Sequence, residues 1–283
     1  MTTPTTPSSS SLTNRVILVM GVVNVTPDSF SDGGEYLAPD KAIAHGLELV
    51  AQGADLIDVG GEATNPHAEP VSPEDELGRV LPVIRGLVAG GAKVSIDTTK
   101  AAVARAAVEA GATLVNDVSG GLFDPEMATT MGALVAVGEV TYIAGHLRGK
   151  TLAEVFAAEG SIGWRRVAAE LADRLAAFPP SVRETSWVDP GLGFGKGSDP
   201  EANLELIRHV GDIGREVGRP VMVGPSRKRF LRKLLPDGAK ADRLALDVAS
   251  VAACLGAVRA GALVVRAHNV ALLRAALAVY TKL

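Results

Sequence analysis

The sequence predicts an α/β protein, a single (β/α)8 TIM barrel, and three observations lead there. Eight short apolar runs rich in Val, Ile and Leu recur along the chain, each stopped by a polar residue or glycine. Segments of helical periodicity separate them, and alternation of doubly buried strands with helices means a parallel sheet. The length of 283 residues suits one barrel of ~250 residues behind a short tail.

Taken in order, the strand runs are 17–23, 56–59, 94–96, 114–115, 140–144, 187–188, 221–223 and 263–265. The fifth unit holds two apolar stretches, 133–137 and 140–144, and the strand is assigned to the second. Helical segments are read at 39–51, before Gly53, and from Pro73 onward behind a Ser72 cap. There Glu74, Asp75 and Glu76 suit the positive end of the helix dipole. Further helices are read at 100–109, ending at Gly111, at 164–177 before Pro179, at 242–260, ending at Gly261, and at 270–282. The first strand leads into NVTPDSF and not into GxGxxG, which counts against a doubly wound dinucleotide fold.

Residues 1–14 are a Ser/Thr/Pro stretch without an apolar core or basic start, expected to be a disordered tail and not a secretory signal; 15–283 form the barrel. A hydrophobic content of 47% with 21% charged residues is that of a globular protein with a sizeable core. The net charge of −4 weighs against nucleic-acid or membrane-surface partners. No apolar run of ~18 residues is present, so no membrane helix is expected. The lone Cys254 rules out an internal disulfide and fits a reducing, cytoplasmic location.

Nearly every strand run ends on a polar group: Asn24, Gly60-Gly61-Glu62, Asp97, Asn116-Asp117, His146, Asp189, Ser226-Arg227-Lys228, and Arg266 with His268. One such terminator is ordinarily a turn former or helix cap. All eight on the face where barrels place active sites point to function. Asp and Asn groups suit a flat, hydrogen-bonding heterocycle, and a buried Asp189 could accept paired N–H bonds from an aminopyrimidinone edge. Arg266, His268 and nearby Lys228 suit an anion, and Phe194 offers a ring to an aromatic partner. With no HExxH, no His/Cys cluster and no GxSxG elbow, chemistry rests on positioning and charge stabilisation, with Mg2+ carried on a substrate phosphate.

These residues sit in motifs that resemble, in order, those of dihydropteroate synthases, the folate-pathway enzymes that join p-aminobenzoate to a dihydropterin. They are NVTPDSFSDGG (24–34), DVGGEATNP (58–66), SIDT (95–98), NDVSGG (116–121), GHLRG (145–149), DPGLGFGK (189–196), GPSRKRF (224–230) and RAHNV (266–270). The resemblance implies a pterin held by Asp97, Asn116, Asp189 and Lys228. It implies a leaving pyrophosphate and its Mg2+ met by Asn24, Arg266 and His268, and catalytic roles for Asn24, Lys228, Arg266 and His268. It implies p-aminobenzoate nearer the surface against Phe30, Thr64, Pro66, Phe194, Ser226 and Arg227. In this family pyrophosphate departs first and the aniline nitrogen traps the pterin-methyl cation.

Four positions depart from the family pattern: Ala63-Thr64-Asn65-Pro66 for Ser-Thr-Arg-Pro, His268-Asn269 for His-Asp, Ala144-Gly145-His146 for Leu-Met-His, and Leu192 for Phe. The first puts a neutral amide where a loop arginine is usual and predicts a loosened p-aminobenzoate and sulfonamide pocket. A homodimer through the last helices is also expected, since Ala252, Ala253, Ala257, Ala275, Ala276 and Ala278 permit close helix approach. The alternatives are a methyltetrahydrofolate-dependent methyltransferase, which has no use for the Arg266/His268 pair, and a non-catalytic pterin-binding paralogue.

Overall fold

The computed structural model describes residues 16–26, 39–64, 69–157, 160–196, 199–236, 238 and 242–283. The expected tail 1–14, Phe30, Asn65 and Pro66 lie outside these. The strands are β1 (Leu18–Asn24), β2 (Leu56–Gly60), β3 (Val94–Asp97), β4 (Leu114–Asp117), β5 (Thr141–Gly145), β6 (Trp187–Asp189), β7 (Met222–Val223) and β8 (Val264–Ala267). All neighbours pair parallel in the order β6-β5-β4-β3-β2-β1-β8-β7. A bridge between Val188 and Val221 joins the two ends and closes the barrel. The expected (β/α)8 barrel is the observed fold.

Several ladders extend past the last apolar residue of their run. Asn24, Gly60, Asp97, Asn116, Asp117 and Asp189 all lie within strands. Backbone pairing therefore fixes their positions, which is the rigid placement a polar site needs.

The strand pleat sorts side chains into two cores. One face of the strands packs outward on the helical shell, through Val19, Ile57, Ile96, Val115, Tyr142 and Val265. The other forms an apolar plug inside the barrel from Met20, Leu56, Leu114, Ile143, Met222 and Val264. Burying side chains of this size contributes roughly 1.5–3 kcal/mol each. Two residues further along four of these strands, on the same inward face, stand Asp58, Asn116, Gly145 and Arg266. The barrel interior thus changes from apolar to polar within one pleat.

The helical shell begins with α1 (Pro39–Ala51), α2 (Pro73–Ala89), α3 (Ala101–Glu109) and α4 (Met127–Val137). It continues with α5 (Leu152–Ala157), α6 (Trp164–Ala176), α7 (Pro180–Thr185), α8 (Pro200–Arg208) and α9 (Val210–Val217), and closes with α10 (Arg229–Leu234), α11 (Arg243–Ala260) and α12 (Val270–Tyr280). The Ser72 hydroxyl caps α2 by accepting from the Asp75 amide at 3.1 Å, as read from sequence. Stretch 133–137 belongs to α4, which supports the placing of the fifth strand. Glu74, Asp75 and Glu76 stand in the first turn of α2 as expected, and Glu76 is besides fully buried, with Lys100 Nζ donating to its Oε2 at 2.5 Å. The same ammonium donates to Glu62 Oε2 at 2.6 Å, while Glu62 Oε1 accepts the Val71 amide. Glu62, at the end of β2, therefore anchors its loop to α2 and β3 and stands outside the polar cluster.

Candidate active site

The polar layer above the plug is built around Asp58, a residue that no strand-end reading singled out. Its carboxylate is fully buried, and one oxygen, Oδ2, accepts from Arg266 Nε at 2.6 Å and from Asn116 Nδ2 at 2.9 Å. Among the described residues the other oxygen, Oδ1, has no hydrogen-bond partner, and neither has Ser95 Oγ, whose residue pairs with Asp58 across β2 and β3. Arg266 Nη2 reaches on to Asp97 Oδ2 at 2.8 Å. One guanidinium thus crosses the barrel mouth and joins two carboxylates. Period-2 counting from Leu56 was the signal available for Asp58, hidden because it interrupts an apolar run.

Burial pushes the Asp97 carboxyl up to about 7, with Asp58 adding to the rise and Arg266 opposing it. Burial also raises the Asp189 carboxyl, against a hydrogen bond from the Gly191 amide to its Oδ1 at 2.8 Å. Lys228 is pushed down to about 8, first by burial and then by Arg266, with Asp189 and Asp97 pulling the other way. Its ammonium stands 3.9 Å from the centre of the Phe194 ring, a cation–π contact. A side chain on Gly60 would meet Asp97 Oδ2 at 3.7 Å and Asn24 Oδ1 at 3.8 Å, so these two groups flank the bare glycine at the end of β2.

The eighth strand's two groups part company. Arg266 points to the carboxylates, whereas His268 turns to Ser226: its backbone amide donates to Ser226 Oγ at 3.2 Å, and its Nδ1 lies 3.0 Å from the same hydroxyl. Burial, then Arg266 and Arg227, push His268 down to about 3. The ring is therefore neutral, and Nδ1 shares one hydrogen bond with the Ser226 hydroxyl.

Arg227 turns away from the mouth. Its backbone sits at φ 58°, and its Nε and Nη2 donate to the two oxygens of Asp247 on α11 at 2.7 and 3.0 Å. Asn269 Nδ2 donates to the same carboxylate at 3.1 Å, while its Oδ1 caps α12 by accepting from the Leu272 amide. Here the departure from His-Asp has a physical reason: an aspartate would set a second carboxylate against Asp247.

Two more strand-end groups serve the scaffold. Asp117 accepts from Ser119, Gly121 and the Tyr142 hydroxyl and shapes its own loop. His146 is buried between Glu170 Oε2, 3.0 Å from its Nε2, and Lys196 Nζ, 2.9 Å from its Nδ1. Asn24, Asp97, Asn116, Asp189, Lys228 and Arg266 therefore gather at the C-terminal mouth, with Ser226 and His268 beside them and Phe194 under Lys228. Among the described residues no group of three or more His, Cys, Asp or Glu could hold a metal.

The arrangement can grip a flat heterocycle by its edges, with acceptors at Asp97 and Asp189 and donors at Asn116 and Lys228. Comparison with known proteins bears on that chemistry. A family model described as pterin binding enzyme matches residues 20–268. The dihydropteroate synthase of Mycobacterium leprae is 43% identical over 262 residues, covering 90% of this chain and 89% of that one. A solved structure of the Xanthomonas albilineans dihydropteroate synthase with 4-aminobenzoic acid superposes with a TM-score of 0.82 at 39% identity, over 95% of this chain and 93% of that one. The same organism's enzyme in complex with 7,8-dihydropteroate gives a TM-score of 0.79 at 37% identity, over 95% and 94%.

Proposed function

Because the chain belongs to the pterin-binding enzyme family, in its dihydropteroate synthase branch, we propose that it condenses 6-hydroxymethyl-7,8-dihydropterin pyrophosphate with p-aminobenzoate, giving 7,8-dihydropteroate and pyrophosphate. The observation that carries the reading is the cross-barrel layer of Asp58, Arg266, Asp97 and Asn116 directly above the apolar plug.

In the reaction the bond from the pterin methylene carbon to the bridging oxygen breaks, and its electron pair leaves with pyrophosphate. The aniline lone pair then forms the new C–N bond, and the anilinium proton passes to water. Asp189 accepts from the pterin's aminopyrimidinone edge, Asn116 and Asp97 hold the opposite edge, and Lys228 donates to the ring system. The carboxylates also favour positive charge developing on the pterin, because fixed charges act strongly in a water-poor site. The neutral imidazole of His268 and the guanidinium of Arg266 would meet the leaving group. Thr64, Phe194 and Ser226 would meet p-aminobenzoate on the outer side, Arg227 supporting them through Asp247; the parts that the resemblance gives to Phe30 and Pro66 fall outside the described residues.

Mg2+ fits this donor set, since a hard amide oxygen of Asn24 next to Asp97 suits an ion that keeps most of its waters and phosphate ligands. When bound it would offset charge on the pyrophosphate, with Asn24 as its protein ligand. Homodimerisation has support in the apolar side chains of Leu244, Val248 and Val279, which α11 and α12 leave exposed. Light scattering at micromolar concentration tests it, and a monomer mass contradicts it. No helix among the described residues is long and apolar enough to cross a membrane, and the buried free thiol of Cys254 suits a cytoplasmic setting.

Incubation with both substrates and Mg2+, followed by chromatography for 7,8-dihydropteroate, tests the activity. A methyltransferase would yield no such product and would transfer a methyl group from methyltetrahydrofolate instead.

A further inference from the structure

The loop after β6 carries Phe194 between three glycines at positive φ, Gly191 (70°), Gly193 (81°) and Gly195 (60°). Glycine reaches such conformations freely, so the backbone alone leaves this loop many alternatives. The Asp189 and Asn203 side chains accept from the Gly191 and Gly193 amides, and Lys196 holds the Phe194 carbonyl. Lys196 is 1% exposed, and its Nζ donates to the Phe194 carbonyl at 2.8 Å, to the His146 carbonyl at 3.1 Å and towards His146 Nδ1 at 2.9 Å. These three acceptors match the three donors of an ammonium, the form that Asp189 and Glu170 favour against the burial that pushes Lys196 down to about 7. They also tie the β6 loop to the end of β5, where the His146 amide in turn donates to the Asp189 carbonyl at 2.9 Å.

The histidine is held for this purpose. With Nδ1 accepting, the ring proton lies on Nε2 and donates to Glu170 Oε2 at 3.0 Å, and Arg166 holds the other oxygen of Glu170 at 2.8 Å. Burial, then Lys196 and Arg174, keep His146 far below its ordinary range, so the ring is neutral as the arrangement requires. A chain of contacts therefore runs from α6 through Glu170, His146 and Lys196 to the carbonyl of Phe194, whose ring carries Lys228 on its face.

We propose that Lys196 is a positioning residue for the aromatic wall of the outer pocket: it fixes the Phe194 backbone and so the placement of the ring against Lys228 and the arylamine substrate. The assignment of that substrate rests on the function proposed above.

Two measurements on Lys196→Met test it, one of them independent of turnover. Hydrogen exchange should quicken about tenfold or more at the amides of Gly191 and Phe194, which donate to Asp189 Oδ1 and to the Gly191 carbonyl, with the other strands unchanged. In steady state the KM for p-aminobenzoate should rise about tenfold, while the pterin substrate KM stays within about twofold. In a Phe194→Leu background the same substitution should add less than about twofold, because its effect passes through the ring. Lys196→Gln, which keeps two donors, serves as the second variant and should fall between wild type and Lys196→Met in both readings. Unchanged exchange in the loop, or KM effects that simply multiply with Phe194→Leu, would overturn the proposal. A wild-type protein that makes no dihydropteroate would instead overturn the function, leaving the exchange result to stand on its own.

Discussion

Asp58→Asn isolates the residue on which the polar layer hangs. The amide oxygen can take the place of Oδ2 and still accept from Arg266 and Asn116, so geometry is retained and charge is lost. The amide nitrogen then stands where Oδ1 stands, a position without a hydrogen-bond partner. The bond from the Arg266 guanidinium loses its anionic acceptor, at roughly 1 kcal/mol, and a buried unpaired donor adds roughly 1–3 kcal/mol, for a total of about 2–4 kcal/mol. Urea unfolding of the ligand-free protein should show a loss of that order with an unchanged slope. In the folded variant Asp97 is the one carboxylate left on Arg266, so calorimetry should show pterin affinity falling about tenfold or more. Wild-type stability together with wild-type pterin affinity would show that Asp58 does not organise the site.

Asp189→Asn should abolish pterin binding with the fold intact, because its NH2 would oppose a pterin donor; near wild-type affinity by calorimetry would remove Asp189 from the site. Arg266→Ala should weaken bare pterin as well as the pyrophosphate substrate, since the guanidinium organises Asp58 and Asp97, whereas His268→Ala should weaken the pyrophosphate substrate alone. Equal losses for both ligands in His268→Ala would make that residue a support for Ser226. Asn65→Arg should lower the p-aminobenzoate KM about tenfold or more and tighten sulfonamide inhibition with it, through a charge-assisted contact of ~1.5–3 kcal/mol, with the pterin KM unchanged; unmoved values for both outer ligands would discard the loosened pocket. Pterin binding wants Asp97 ionised and Lys228 protonated, so affinity should rise as pH climbs through about 7 and fall above about 8. A flat profile between pH 6 and 9 would show that neither group titrates in contact with the ligand.

The barrel was legible because local signals agreed: the apolar runs gave the strands, and Ser72, Gly53, Gly111 and Gly261 marked helix ends. Strand termini located Asn24, Asp97, Asn116, Asp189 and Arg266 at the barrel mouth, since polar residues at the C-terminal end of a barrel strand meet there. The same rule passed over Asp58, whose inward position shows only when the pleat is counted from Leu56. It also overcounted. His146, Asp117 and Arg227 end strands, yet their partners Lys196, Tyr142 and Asp247 lie 50, 25 and 20 residues away. Such pairings depend on tertiary placement, which no local pattern encodes. Helices α4, α5, α7, α8 and α9 have no counterpart in the sequence reading; α5, α7 and α10 carry too few residues for a periodic signal.

Pyrophosphate release, followed alongside dihydropteroate formation in wild type and in Asp189→Asn, bears most directly on what the polar layer does. The wild-type protein should release one pyrophosphate for each dihydropteroate formed once p-aminobenzoate is present, and the folded variant should release none above background. Release without dihydropteroate, no release from the wild type, or an Asp189→Asn protein that turns over normally would contradict the assignment of this layer as the seat of the reaction.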